Sequence, residues 1–229
     1  MNSCTTCKEA IAHCMSTHTF AFAHLYGDEK IMDMHIHNCC EVYYSISGGK
    51  QFLIDHCLYD IRPGDLFLIN QFESHHLTQI DQQTHERIIL SIDPEYLSKL
   101  STGATDLGLC FSFRDTRMPH QIHLSPKEQN RFMYFIHELH DDGGIGEDLL
   151  DQAIFLELMV FLNRAFAARC TDAAAPAPAT SSNYHAQVDA ILSYINSHIG
   201  EPLTLAGLSV HFFMSTSYLL SLIHILTLP

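Results

Sequence analysis

Between Phe20 and Ile92 the apolar residues recur in short runs, and each run is closed by turn residues. This pattern constrains the fold more than any other feature of the chain. Glu41 to Ser47 is rich in β-branched and aromatic side chains, Gly48 and Gly49 follow, and Gln51 to Asp55 resumes the alternation. Glycine tolerates the positive φ that tight hairpins need, so these two runs predict a hairpin. Arg62-Pro63-Gly64-Asp65 is a turn sequence, and Leu66 to Asn70 reads as the next strand. Leu77–Ile80 and Arg87–Ile92 complete the set. Many short strands at close, even spacing predict a barrel or sandwich.

After Pro94 the period changes to that of helices. Ser125 is placed as an N-cap, with Pro126 at the first helical position and acid in the first turn. Phe132, Phe135, Ile136 and Leu139 then share a face, and Asp141 to Gly144 ends the helix. A longer helix is expected from Glu147 to Arg169, with Leu150, Ile154, Leu158, Phe161, Leu162 and Ala165 as its apolar stripe. Ala173 to Ser182 is rich in Ala, Pro and Ser and reads as a linker. Helical periodicity resumes with Val188, Ile191, Leu192, Ile195 and Ile199, and Gly200 and Pro202 stop it.

Composition narrows the function classes. A formal net charge of −14 argues against a protein that coats nucleic acid non-specifically, because phosphate binding needs clustered Lys and Arg. Residues 1–15 lack the apolar core of a secretory signal, and no apolar run reaches the length a membrane helix requires, so the expected location is the cytoplasm. Of the eight cysteines, Cys4 and Cys7 form a lone Cys-x-x-Cys, Cys39 and Cys40 are adjacent, and Cys14, Cys57, Cys110 and Cys170 are scattered. A structural zinc site would want a second pair at matched spacing, so reduced thiols are expected.

Two constellations carry chemistry. His35-x-His37 puts two imidazoles on one side of an extended segment, and Glu41 opens the next strand. Two His and one carboxylate converging in a barrel bind a divalent metal of the Zn, Mn, Fe or Ni type, or equally a polar ligand such as a sugar or carboxylic acid. His35 to Glu41 followed by Gly48 resembles the first motif of the cupin superfamily, and Arg62 to His75 resembles the second in part. Metal-binding cupins carry a further His two or three residues after that Pro/Gly turn, where this chain has Leu66 and Phe67. The expected effector contacts are therefore His35, His37, Glu41 and His75. No resident cofactor is expected, with a divalent metal on His35, His37 and Glu41 as the alternative.

The second constellation is Leu203 to Leu219. Thr204 caps a short amphipathic helix through Leu205, Leu208 and Phe212; Met214 lies in a turn, and Ser215 caps a second helix. Two short helices joined by a tight turn are the layout of a helix-turn-helix. The segment resembles the AraC/XylS family of bacterial regulators, with Leu-Thr-Leu and then Ser-x-x-Tyr-Leu at that family's spacings. The resemblance implies DNA contacts from Ser215, Thr216, Ser217 and Tyr218; the helix Glu147–Arg169 is the candidate homodimer face, because dimers read paired half-sites.

The predicted chain is thus α+β: a cupin-like β-barrel sensor with a helical hairpin, followed by a truncated all-α helix-turn-helix domain. Its divisions are an N-terminal segment (1–18), sensor with connector helices (19–170), linker (171–184), partial reader (185–219) and a tail (220–229). Leu220 to Ile225 matches the translation of a sequencing-library adaptor, so the tail is expected to be non-native. No Lys or Arg follows Arg169, so phosphate anchoring is missing from the reader segment. The function expected is a ligand-responsive, sequence-specific DNA-binding transcription regulator and not an enzyme, with DNA, a small effector and a second copy as partners. The alternative is a metal-dependent cupin oxygenase or isomerase.

Overall fold

The computed structural model describes residues 4–27, 34–49, 51–55, 57–79, 85–112, 120–139, 144–172, 191, 194–195, 198, 200, 202–212, 214, 216 and 219. Those up to residue 172 form one unit, and those from residue 191 a second.

Eight strands of the first unit make two antiparallel sheets. β1 (Phe20–Leu25), β2 (Cys40–Ser45), β5 (Asp65–Ile69), β7 (Arg87–Ile92) and β8 (Gln121–His123) form one in the order β1-β7-β2-β5-β8. β3 (Gln51–Ile54), β4 (Cys57–Asp60) and β6 (His75–Gln79) form the other in the order β4-β3-β6. β2, β5 and β7 are buried along their whole length because both faces are covered. Tyr43, Phe67, Ile69 and Ile89 join Phe52, Ile54 and Leu77 of the small sheet in one core. Tyr43, Phe52 and Phe67 pack there with ring centroids 4.9–5.8 Å apart. On the opposite face, Tyr44 meets Phe132 at 4.6 Å and Phe20 stacks on Phe155 at 4.3 Å. The period of two thus sends alternate residues to two different apolar layers, and the strands read as continuous hydrophobic runs.

The expected hairpin across Gly48 and Gly49 is not there. β2 pairs with β5 and β7, and β3 pairs with β4 and β6, so the glycines carry the chain from one sheet to the other. Gly48 has φ +83°, and a Cβ on Gly49 would lie 2.9 Å from the His85 ring. Glycine is required here by a close approach, not by a tight turn. The hairpin that does form joins β3 to β4 around Asp55, a non-glycine residue at φ 49°.

The helices of this unit are α1 (Cys7–Thr17), α2 (Pro94–Leu100), α3 (Leu109–Ser112), α4 (Pro126–Glu138) and α5 (Glu147–Asp172). α1 lies within the span expected as a plain N-terminal segment. Thr6 caps it by accepting from the Glu9 amide, and Cys7, Ala10 and Cys14 enter the same core as the strands. α4 starts as expected, with a full capping box between Ser125 and Glu128. In α5 the expected stripe needs correction. Phe155, Leu158, Met159, Leu162, Ala165 and Phe166 are buried, whereas Leu150 is 65 % exposed. The helix is apolar nearly all round, so periodicity does not select a face. Arg169 ties its end to the barrel, donating to Glu128 at 2.7 Å and 3.1 Å and to the His123 carbonyl at 2.7 Å.

In the second unit α6 (Leu205–His211) is capped by Thr204, which accepts from the Gly207 amide at 3.0 Å. Ile191, Leu208 and Leu219 form its small core, with Tyr194, Phe212 and Met214 packed against them. Thr216 is helical and exposed. Ser215, Ser217 and Tyr218, expected at the start of the second helix, lie outside the described residues.

Candidate functional site

The backbone brings His35 and His75 together directly. Each amide donates to the other's carbonyl, at 3.2 Å and 3.1 Å, in an isolated antiparallel bridge. The loop from Asn70 to Ser74 makes this possible. Phe72 turns in the left-handed region at φ 63° and its amide donates to the His37 carbonyl at 2.8 Å. Three imidazoles therefore converge: His35 to His75 at 4.3 Å, His37 to His75 at 4.9 Å and His35 to His37 at 5.8 Å between ring centroids. Glu41, on the same face of β2 as Tyr43, reaches into this group with Oε2 3.2 Å from His37 Nε2 and 3.9 Å from His75 Nε2. All four side chains named from the sequence as effector contacts meet in one place. Leu66 and Phe67, where a further ligand was sought, are wholly buried core residues. The relevant turn is the one after β5, not the Pro63-Gly64 turn before it.

Hydrogen bonding fixes the protonation of two of the rings. His37 Nδ1 faces the Cys39 carbonyl at 2.9 Å while Nε2 faces the Glu41 carboxylate. Both of these oxygens only accept, which favours the imidazolium. Burial works to lower this group, but hydrogen bonds to the Cys39 thiol and to Glu41, with the Glu41 charge, hold it up at about 10. Burial likewise works to raise Glu41, and the His37 hydrogen bond with the charges of His75, His37 and His35 brings it down to about 2. His75 behaves oppositely: burial dominates and lowers it to about 4. Its Nδ1 donates to the Glu73 carbonyl at 2.8 Å, so the neutral ring presents the Nε2 lone pair to the cluster. That atom is enclosed and makes no hydrogen bond among the described residues.

A buried imidazole lone pair, two further imidazoles and a carboxylate are a donor set that fits a divalent transition ion. One ligand atom from each of His35, His37 and His75 lies within 4.8 Å of the others. Without an ion, the proton on His37 balances Glu41; an ion taken up there would displace it. Cys39 and Cys7 flank the cluster, the first with Sγ 3.3 Å from His37 Nδ1 and the second with Sγ 4.0 Å from Glu41 Oε2. All eight cysteines are free thiols. Two clefts among the described residues lie elsewhere. One of about 500 Å³ runs along α4 and α5 beside Arg131 and Phe161, and one of about 400 Å³ lies on Tyr59, Arg62 and His123.

Residues 19–159 match the family described as the AraC-like ligand binding domain. The chain belongs to that family. Curated protein sequences offer no match to the chain. Among solved structures, ToxT from Vibrio cholerae aligns over 92 % of this chain and 77 % of its own, at 11 % identity and a TM-score of 0.51. The AraC-like transcriptional activator CuxR aligns over 82 % of this chain at 16 % identity and a TM-score of 0.43, and this chain spans 61 % of that one. Salicylate 1,2-dioxygenase from Pseudoaminobacter salicylatoxidans aligns over 32 % of this chain and 21 % of its own, at 17 % identity and a TM-score of 0.30. The ToxT likeness shows a shared fold. The histidine–glutamate cluster lies wholly inside the matched AraC-like domain. No helix among the described residues is long and apolar enough to cross a membrane.

Proposed function

We propose that this AraC-like domain is the sensor of a ligand-responsive, sequence-specific DNA-binding transcription regulator. Its effector is held by His35, His37, Glu41 and His75. The observation that carries the reading is the enclosed Nε2 of His75, a buried acceptor turned into a cluster of three other polar side chains. Burying such an atom without a partner costs about 1–3 kcal/mol, which a bound ligand or ion recovers. Tyr43, Phe52 and Phe67 fill much of the barrel, so the effector is small or enters at the cluster's own end. Ser215, Thr216, Ser217 and Tyr218 would face DNA. Residues 170–229 hold no Lys or Arg, so this chain by itself senses and does not grip phosphates. Leu149 and Leu150, both about two-thirds exposed on the opening turn of α5, support a homodimer face on that helix.

The test is made in cells on a regulator that carries this domain. Immunoprecipitated DNA should be enriched in a discrete promoter sequence, and His75→Ala should alter transcription from that promoter without removing the protein. Uniform background across the genome contradicts the reading.

One observation favours the rival enzyme. His75 stands as a third imidazole beside His35 and His37, with Glu41 Oε2 3.9 Å from its Nε2, a donor set that a metal-dependent cupin oxygenase or isomerase could use. A bound ion would supply Lewis-acid or redox chemistry there. Stoichiometric iron, manganese or nickel retained through purification, together with turnover of a small substrate, would establish the enzyme.

A further inference from the structure

A second cluster of ligand-type side chains lies outside the site described above. Asp55 at the β3–β4 turn, Glu73 in the loop entering β6 and His120 just before β8 place one ligand atom each within 4.8 Å of the others. They come from three separate turns, so no sequence spacing announces them.

His120 is 8 % exposed, and its Nδ1 is engaged by the Tyr59 hydroxyl at 2.8 Å. Nε2, on the far side of the ring, is fully enclosed and makes no hydrogen bond among the described residues. Glu73 Oε1 sits 3.3 Å from it but off the direction a hydrogen bond needs. With Nδ1 engaged by Tyr59, Nε2 is the ring nitrogen that faces the two carboxylates. The carboxylates are held in place from outside. Asp55 Oδ1 accepts from the Ser74 amide at 2.9 Å and from its hydroxyl at 3.1 Å, and Glu73 Oε2 accepts from the Asn70 amide at 2.6 Å. Burial and the facing Glu73 charge push the Asp55 carboxyl above its ordinary range. The two anchored carboxylates repel one another, and a dipositive ion between them, with His120 Nε2 as a further donor, turns that repulsion into attraction.

We propose that Asp55, Glu73 and His120 form a second divalent-cation site, with one imidazole nitrogen and two carboxylate oxygens as donors. Such an oxygen-rich set suits Mn²⁺ or Zn²⁺. The site is joined to the first through one residue. Glu73 offers its carboxylate to the second cluster and its carbonyl to His75 Nδ1, so an ion here steadies the loop that aims His75.

The experiment titrates the metal-free 229-residue protein with Mn²⁺ and reads nitrogen couplings by pulsed electron paramagnetic resonance. The proposed site has one imidazole, whereas the barrel cluster has three. A one-imidazole Mn²⁺ species is expected, and it should persist in His35→Ala/His37→Ala/His75→Ala, which leaves no imidazole in the barrel cluster. In Asp55→Asn and in His120→Gln its affinity should fall by more than the roughly 10–100-fold that changes outside a ligand shell cost. Circular dichroism identifies any variant that fails to fold, and the wild-type couplings stand without the variants. A protein showing only a one-imidazole species supports the site while counting against a barrel metal. A protein showing only a three-imidazole species, or no bound Mn²⁺, overturns the proposal, as does a one-imidazole species that survives in a folded His120→Gln.

Discussion

Replacing Glu41 with glutamine keeps the side chain's shape and removes its charge. In the metal-free protein Glu41 is the acceptor for the His37 imidazolium at 3.2 Å, and their side chains are 1 % and 6 % exposed. Breaking a buried pair costs about 3–5 kcal/mol when the remaining charge is stranded. His37 escapes part of this by releasing its Nε2 proton; Nδ1 keeps the Cys39 carbonyl, and the glutamine amide group can donate to the freed Nε2. The loss then falls toward the roughly 1.5–3 kcal/mol that a hydrogen bond to a charged group contributes.

The pair also sets how that loss varies with pH. Glu41 titrates at about 2 when folded against 4.5 ordinarily, so its contribution is present above 4.5 and is lost as pH falls through 2. His37 titrates at about 10 against 6.5, so its contribution is present below 6.5 and is lost as pH rises through 10. Both shifts describe one interaction and are not added. The wild-type advantage over Glu41→Gln is therefore full between pH 4.5 and 6.5 and declines on either side. The alkaline decline is the cleaner arm, because His75 titrates at about 4 on the acid side. Urea unfolding followed by circular dichroism, with chelator present, measures it at several pH values. A difference that is constant with pH, or smaller than about 0.5 kcal/mol in the plateau, refutes the charged pair.

Three further outcomes follow from the same structure. Phe67→Ala empties the centre of the Tyr43–Phe52–Phe67 group and should cost about 3–5 kcal/mol by urea unfolding; under about 1 kcal/mol would mean the barrel core is not packed as described. The Glu128 carboxyl is held down at about 2 by Arg169 and Ser125, so its tie between α4 and α5 should persist above 4.5 and fail as pH falls through 2; Glu128→Gln should remove that part of the acid transition. A gel shift with the 229-residue chain should show no specific DNA complex at physiological salt, and a nanomolar complex would overturn the charge argument.

The central strands were legible in the sequence because β2, β5 and β7 are buried on both faces and so spell continuous apolar runs. Their partners were not. Gly48 and Gly49 carry the same glycine signal whether the chain reverses within a sheet or crosses to another, and only the remote His85 ring decides. β8 is three residues long and pairs with β5 from beyond α2 and α3, so nothing local marks it. α1 had readable signals in the Thr6 cap and the spacing of Cys7, Ala10 and Cys14. His35, His37 and Glu41 stood out by spacing alone. His75 depended on a left-handed turn at Phe72, a residue type that does not advertise one.

The most direct test of the sensor is whether ligand binding follows the histidine cluster. Thermal melting of the chain should be compared with and without Mn²⁺, Ni²⁺, Zn²⁺ and a panel of small sugars and carboxylic acids, in wild type and in His35→Ala/His75→Ala. At least one compound should raise the Tm of the wild type and leave the folded double variant unmoved. Compounds that stabilise both proteins equally, or a wild type that responds to none, would contradict it.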